Sequence, residues 1–207
     1  MEIQSAISAF VTLFVIIDPI ALAPLFVALT AGKSSKQRRG IAIRAILTAA
    51  GLLAVFGIVG ELVLNKMGIG MPAFRISGGI LLFLTAIEML FDKRTPRREK
   101  TAEDDDSSDP AIFPLAMPLI GGPGAMTTMI LLTGQYSGDF ANQVMVHVVM
   151  LFVLAIVFVM FLTSGIMERV LGHTGINLVT RLMGMFLAAL SVQFVLDGLR
   201  DYGLFGL

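Results

Sequence analysis

Long runs of apolar residues dominate the chain, and short polar stretches separate them. A helix needs about 20 such residues to cross the hydrocarbon core of a bilayer. The runs have this length, and none alternates apolar and polar residues as a membrane β-strand does. The pattern therefore predicts an all-α, polytopic membrane protein with six transmembrane helices, at residues 5–31, 42–64, 72–91, 111–133, 143–167 and 180–199.

The composition supports this prediction. Hydrophobic residues make up 56% of the 207 positions and charged residues 14%, whereas a soluble domain has about 25% charged residues. The net charge is zero, which provides no general attraction to nucleic acid. The sequence offers no metal-ligand set, no nucleophile triad and no phosphate-binding loop. We therefore expect no enzyme and no cofactor; the expected partners are the lipid bilayer and a small-molecule substrate.

The basic residues predict the orientation of the chain. With six spans, the loops after helices one, three and five contain twelve of the 15 lysines and arginines, and the other side has Lys66, Arg75 and Arg200. Cytoplasmic loops are enriched in Lys and Arg. We therefore expect a plasma-membrane (inner-membrane) protein with both termini outside, in the periplasm.

Two halves of the chain resemble each other. A charged linker, 92–110, separates a first unit, 1–91, from a second unit, 111–207. At offsets of 106 and 104 residues, the matching segments are 75–85 with 181–191 and 18–21 with 122–125. Each unit has three spans, an odd number, so the two units insert in opposite orientations. The sequence thus predicts two inverted three-helix repeats, a plan that many secondary transporters share.

Proline and glycine interrupt the first and fourth predicted helices in mid-span. Proline within a helix removes a backbone donor and clashes with the preceding turn. Asp18-Pro19 is typical of a helix start, with Asp as the N-cap and Pro at the first helical position. Gly122-Pro123 has the same form without a capping side chain. Each break is therefore predicted to begin a half-helix with a partly positive N-terminus.

The two breaks suggest the chemistry of a substrate. The Asp18 carboxylate suits an ammonium group, and the free amides of Gly124, Ala125 and Met126 suit a carboxylate. A zwitterion such as a neutral amino acid matches both. In the alternative interpretation, the bundle is merely kinked and Asp18 only caps its helix. The predicted substrate-binding residues are Asp18, Pro19, Ala21, Gly122, Pro123, Gly124, Ala125, Thr127, Thr128 and Gln193, with further polar lining from Ser77, Thr85 and Ser191.

Other polar and small residues have two interpretations each. Glu88, near the end of the third helix, is a candidate for coupling transport to a proton gradient. Alternatively, its side chain extends to the membrane interface or pairs with a basic loop residue. Four glycines suit close helix packing, either within one chain or between the protomers of a homo-oligomer; they are Gly57, Gly60, Gly78 and Gly79.

Four ordered motifs across residues 5–200 resemble the MarC (UPF0056-type) family of bacterial inner-membrane proteins. They are Asp18-Pro19 with Pro24, the segment 75–89, the segment 114–123, and Arg181-Leu182-Met183-Gly184 with Gln193 and Asp197. The resemblance implies six spans and an architecture related to LysE-like amino-acid exporters. The family usually has Gly where this chain has Ala21, and the added methyl narrows the approach to the first break.

Taken together, these features favour a secondary transporter of small neutral amino acids or similar polar metabolites. A channel-like pore and a membrane accessory protein without transport activity remain as alternatives. The pore would use the same broken helices without coupling or saturation. In the accessory protein, the breaks would serve packing alone.

Overall fold

The computed structural model describes residues 3–91 and 109–203, except for the side chains of 166–171 and 173. Within these ranges the chain is helical and contains no strand. The helices are α1 (Ile3–Ile17), α2 (Pro19–Leu29), α3 (Ser35–Lys66), α4 (Met71–Leu90), α5 (Ala111–Ile120), α6 (Pro123–Gly134) and α7 (Phe140–Asp201). The predicted linker, 92–110, lies almost wholly outside the described residues.

The helices confirm the predicted class of fold. Five stretches of the described chain are long and apolar enough to span a membrane, and α5 with α6, bent by 56°, adds a sixth if the pair crosses as one span. The five are Ile3–Leu29, Ser35–Lys66, Met71–Leu90, Phe140–Gly165 and Thr174–Asp201. The last two lie within α7 and are divided at Gly172, whose φ of 59° and ψ of 175° interrupt the helix. The inverted repeat and the division into units stay predictions.

One helix begins well before its predicted start. The apolar pattern placed the second span at residue 42, but α3 begins at Ser35. Ser34 and Gln37 form a capping box, in which the Gln37 amide donates to Ser34 Oγ and the Ser34 amide donates to Gln37 Oε1. This reciprocal capping extends the helix through polar residues that hydrophobicity alone does not assign to it.

Glycines allow α4 to pack closely against the second half of α7. A Cβ atom added to Gly79 would lie 2.8 Å from the carbonyl oxygen of Ser191, and one added to Gly198 would lie 2.9 Å from that of Pro72. Positions 72 and 79 of α4 thus face positions 198 and 191 of α7, so the two helices are antiparallel. Small residues permit such backbone approach between membrane helices.

The remaining glycines of the predicted set also pack within the chain. Gly57 faces His147 of α7, and the other two face α6, where Gly60 meets Ile130 and Gly78 meets Thr127. The four glycines are therefore occupied by intramolecular helix packing. They do not themselves indicate a contact between protomers.

Polar contacts join helices at the two ends of the bundle. At the basic end, which we define by Lys33, Arg38, Arg39 and Arg44, the Arg44 guanidinium pairs with the Asp109 carboxylate at 3.0 Å. The opposite end, termed the terminal end, has Arg75 paired with Asp201. These pairs connect α3 to the start of α5, and α4 to the end of α7.

Candidate functional site

The first break is an interruption of one residue within an apolar span. Asp18 adopts left-handed backbone angles (φ 59°, ψ 65°), which Asp tolerates better than most residues. Its Oδ1 atom accepts a hydrogen bond from the Ala21 amide at 3.3 Å, and Pro19 is the first residue of α2. Asp18 is 1% exposed. The structure thus has the predicted cap, and this cap places a carboxyl group in the interior of the bundle.

The second break is longer than the first and extends from Phe113 to Gly122. Within α5, Phe113 and Met117 have extended backbone angles, because a residue that precedes proline is driven out of the helical region. Pro114 and Pro118 follow these two residues. The α6 helix starts only after Gly122, which acts as its N-cap without a side-chain hydrogen bond.

The amides at the start of α6 differ in part from the prediction. The Met126 amide donates to the carbonyl oxygen of Gly122 at 3.0 Å, so its assignment to a ligand was wrong. The i to i−4 hydrogen bond of an α-helix is already available to this residue, whereas the preceding amides lack such a partner. Gly124 and Ala125 therefore provide the donors at this helix end.

The two breaks lie next to each other. A Cβ atom added to Gly124, the second residue of α6, would lie 2.9 Å from Cδ1 of Ile16. Ile16 precedes Asp18 by only two residues and is buried, as is Ala125. The fold therefore brings the start of α6 against the end of α1, beside the start of α2.

Thr128 places an unsatisfied hydroxyl near this junction. The residue is 0% exposed, and its Oγ1 atom has no hydrogen-bond partner. Thr133 on the same helix instead donates to the Met129 carbonyl oxygen at 2.8 Å. Helical side chains tilt towards the N-terminus, so Thr128, one turn after Gly124, points back towards the break. A buried, unpaired polar group costs about 1–3 kcal/mol, which makes Thr128 a candidate ligand contact.

The other predicted lining hydroxyls are satisfied by their own helices. Ser191 donates to the Ala188 carbonyl oxygen at 2.7 Å, Ser77 to that of Phe74 and Thr85 to that of Leu81. These bonds reduce their readiness to bind a ligand. Of the residues that carry the predicted hydroxyl groups, Thr128 and Ser191 are buried, and of these two it is Thr128 whose hydroxyl has no hydrogen-bond partner.

The remaining predicted residues are only partly gathered at the junction. Pro19 and Ala21 are buried beside Asp18, Gly122 is half-buried, and Pro123 is exposed. The Thr127 methyl group packs against Gly78 of α4. Glu88 is half-buried in the last turn of α4, at the basic end.

Gln193 lies apart from the breaks, in a cavity at the terminal end of about 210 Å³. Its amide donates to Asp197 Oδ1 at 2.8 Å. We call this cavity the polar vestibule; it lies between α1, the end of α6 and the end of α7. Its lining comprises Ser5, Ser8, Ala9, Thr12, Leu132, Gln135, Tyr136, Leu190, Gln193, Phe194 and Asp197.

A second cavity, of about 360 Å³, opens at the basic end. We call it the basic vestibule, and its lining comprises Phe26, Ser35, Arg38, Arg39, Phe161, Leu162, Thr163, Ser164 and Gly165. At its inner side the rings of Phe26 and Phe161 stack with centroids 4.3 Å apart, and both side chains are buried. On α1, the buried residues Leu13, Ile16 and Ile17 lie in the sequence between Thr12, which lines the polar vestibule, and Asp18. Neither lining includes Asp18, Gly124 or Ala125, so the junction lies outside both vestibules.

The sequence did not lead us to predict either vestibule. Ser5, Ser8 and Thr12 follow a spacing of three and four residues on an otherwise apolar helix, which is a polar stripe along one helix face. That pattern indicates the polar vestibule, although its opposite wall depends on α6 and α7. No group of three potential metal ligands is present among the described residues.

The fold and its interrupted helices define a polytopic helical membrane protein with polar groups at mid-span. A sequence model described as MarC family integral membrane protein matches residues 3–202. The chain belongs to the MarC family of integral membrane proteins.

Similar proteins come from distant organisms. The chain is 38% identical over 198 residues to a UPF0056 membrane protein of Aquifex aeolicus, with 94% of this chain and 92% of that protein covered. It is 38% identical over 194 residues to the UPF0056 inner membrane protein YhgN of Escherichia coli K12, with 94% and 95% covered. A UPF0056 membrane protein of Archaeoglobus fulgidus is 36% identical over 196 residues, with 94% and 92% covered. No solved structure matches the chain.

Proposed function

We propose that the protein is a secondary transporter of small neutral amino acids or similar polar metabolites, with its substrate site at the junction of the two breaks. The observation that carries this proposal is the packing of Gly124 against Ile16, beside Asp18. It brings a carboxyl group and an uncapped helix start into one buried region.

A zwitterion fits the charges of this junction. Asp18 offers an acceptor for an ammonium group, while the Gly124 and Ala125 amides and the positive end of the α6 dipole favour a carboxylate. The Thr128 hydroxyl adds a neutral donor or acceptor. Ionisable residues within a membrane are costly and usually serve function, which supports a role for Asp18 beyond capping.

The two vestibules support alternating access to the junction. One vestibule lies at each end of the bundle and neither is lined by Asp18, so a separation remains on each side of the junction. Opening of one separation at a time would carry a substrate across. We infer that Glu88 couples this movement to a proton gradient. Glu88→Gln is therefore expected to abolish the stimulation of transport by a pH gradient.

We propose a location in the inner membrane, with the basic end in the cytoplasm and both termini in the periplasm. The name of the Escherichia coli relative includes inner membrane protein, and the excess of Lys and Arg at the basic end supports the orientation. Accessibility of single cysteines placed at Lys36 and Ser137 to an impermeant thiol reagent tests it. Labelling of position 137 alone in intact cells is expected; labelling of position 36 alone would reverse the orientation.

Counterflow in proteoliposomes tests the proposed activity. Vesicles loaded with unlabelled L-alanine are expected to accumulate radiolabelled L-alanine transiently and saturably. Propionate lacks the ammonium group and L-alaninamide lacks the carboxylate, so both are expected to compete poorly. The same panel is repeated with glycine, L-serine and L-threonine. Non-saturating flux without counterflow would favour a channel-like pore, and absence of flux for the whole panel would favour an accessory protein.

A further inference from the structure

The basic vestibule contains a positioned arginine that the proposed transport site does not use. The Arg38 guanidinium lies over the Phe26 ring, with Cζ 5.6 Å from the ring centroid. Phe26 is held in turn by its stack on Phe161, with the ring planes only 4° apart. A guanidinium at this distance is attracted to the face of the ring by a cation–π interaction. This interaction holds the Arg38 side chain at the wall of the cavity.

The positive charge of the vestibule is not neutralised by nearby acids of the described chain. Across residues 3–91 and 109–203, no carboxylate lies within ion-pairing distance of Arg38 or Arg39. Arg44, one of the other cations at this end, is already paired with Asp109. Within the part of the chain that the structure describes, the two guanidinium groups in the cavity therefore keep donors that no carboxylate occupies.

The rest of the lining complements these two arginines. Ser35, at the first position of α3, contributes a hydroxyl group at the positive end of a helix dipole. The Ser164 hydroxyl already donates its proton to the Phe161 carbonyl oxygen at 2.9 Å, so the two arginines and Ser35 are the donors that remain. Leu162 and the edges of the two phenylalanine rings supply apolar surface. Such a lining suits an oxyanion that is attached to an apolar or alkyl group.

We propose that the basic vestibule binds an oxyanion, a carboxylate or a phosphate group, with Arg38 as its principal ligand and Arg39 as a second donor. Arginine binds both groups through paired, charge-assisted hydrogen bonds. The anion is either a soluble carboxylate or phosphate or the headgroup of an anionic phospholipid, because basic pockets between membrane helices accept such headgroups. This site is separate from Asp18 and does not depend on the transport proposal.

Thermal stability of the purified full-length protein tests the site without measuring transport. In an uncharged detergent, sodium propionate and inorganic phosphate are titrated at constant ionic strength. In a second arm, the protein is placed in nanodiscs of phosphatidylglycerol or phosphatidylcholine with matched acyl chains. At least one oxyanion source is expected to raise the Tm. Arg38→Gln is expected to raise the half-saturating anion concentration about tenfold or more, as for a lost charge-assisted contact. If the source is a lipid, Arg38→Gln is expected to remove most of the lipid-dependent rise in Tm.

Two further variants make the outcome specific. Lys36→Gln removes the same charge from an exposed position of the same helix that does not line the cavity, and it is expected to leave binding within about twofold of wild type, as for a screened surface charge. Arg38→Lys keeps the charge but loses the planar fork of N–H donors, and an intermediate affinity is expected. If Arg38→Gln fails to fold, Arg38→Lys tests the Arg38 contact in its place.

The two arms separate the sources of the anion. Stabilisation by propionate or phosphate in detergent assigns a soluble anion, and stabilisation by phosphatidylglycerol alone assigns a lipid headgroup; either result supports the site if it depends on Arg38. The proposal is overturned if no oxyanion stabilises the wild type. It is equally overturned if Lys36→Gln weakens binding as much as the Arg38 variants do.

Discussion

Gly124 of α6 lies against Ile16 of α1, so closely that a methyl group on Gly124 would lie 2.9 Å from Ile16 Cδ1. This contact joins two segments that are more than one hundred positions apart in the sequence. Because Ile16 lies only two residues before the Asp18 cap, the contact fixes where the start of α6 lies relative to the buried carboxyl group. The geometry of the candidate site therefore depends on the absence of a side chain at position 124.

Gly124→Ala is expected to lower the free energy of unfolding by about 1–3 kcal/mol, the usual cost of overpacking, and to reduce amino-acid counterflow. Thermal denaturation in detergent and the counterflow assay measure the two effects. Ile16→Val removes the nearest atom and should restore part of both. Gly40→Ala is the matched control, since nothing lies within 4 Å of the added methyl. A Gly124→Ala protein as stable and active as wild type would show that the junction tolerates the group.

Gly79→Ala tests the packing of α4 on α7. The added Cβ would meet the backbone of α7, the Ser191 carbonyl oxygen at 2.8 Å and the Val195 amide nitrogen at 3.1 Å, and backbone cannot rotate away as a side chain does. We expect a loss of about 3 kcal/mol, at the upper end of the overpacking range, and a larger decrease in Tm than for Gly124→Ala. The reverse order of the two Tm values would contradict this description of the interface.

Thr128→Val separates a binding role from a packing role. The Thr128 hydroxyl has no hydrogen-bond partner in the protein, so its replacement by a methyl group should leave the Tm unchanged or raise it. Substrate affinity in counterflow should nevertheless fall, because the ligand loses a polar contact.

Thr133→Val is the matched control on the same helix. It removes a hydroxyl that donates to the Met129 carbonyl oxygen, so it should cost about 1 kcal/mol of stability and leave substrate affinity unchanged. If Thr128→Val destabilised the protein and left affinity intact, the hydroxyl would be structural.

The Arg44–Asp109 pair predicts a dependence of stability on pH. A hydrogen bond from the Ala111 amide and the nearby Arg44 guanidinium hold the pKa of Asp109 below its ordinary value of 3.8. A carboxylate with a lowered pKa in the folded state stabilises the protein above its ordinary pKa, and this contribution is lost as the pH falls through the lowered value. The Tm of Asp109→Asn should therefore lie below that of wild type at neutral pH.

The difference between the two Tm values should disappear in acid. Because Asn can still accept from the Ala111 amide, the substitution isolates the charge of Asp109. Denaturation scans of both proteins between neutral pH and the acid limit of folding measure this change. A constant difference in Tm across the whole range would contradict the assignment to Asp109 ionisation.

The spans and both breaks could be predicted because hydrophobic length and proline chemistry act locally. Asp18 caps α2 in the manner that its position before Pro19 indicates. The same rule explains α5, where the residues before Pro114 and Pro118 leave the helical region. The assignment of a free amide to Met126 was wrong, because this amide completes the first i to i−4 hydrogen bond of α6.

The surroundings of the candidate site depend on contacts between distant segments, which one sequence does not specify. Gln193 is a polar residue within the sixth predicted span and was predicted to bind the substrate. Its side chain instead lies in the polar vestibule beside Asp197. Conversely, Phe26 and Phe161 resemble ordinary apolar residues of two spans, and only the tertiary fold stacks them beneath Arg38. The chemistry of these residues was visible in the sequence, whereas their neighbours were not.

Counterflow of a neutral amino acid by Asp18→Asn tests the central claim most directly. Asn caps helices as well as Asp does. The new side chain at position 18 should therefore still accept the hydrogen bond from the Ala21 amide and keep the fold, while the negative charge is lost. We predict that Asp18→Asn retains the wild-type Tm to within a few degrees and loses at least about tenfold in transport, the cost of one charge-assisted contact. A folded Asp18→Asn protein that transports the same amino acid at the wild-type rate and affinity would contradict the account.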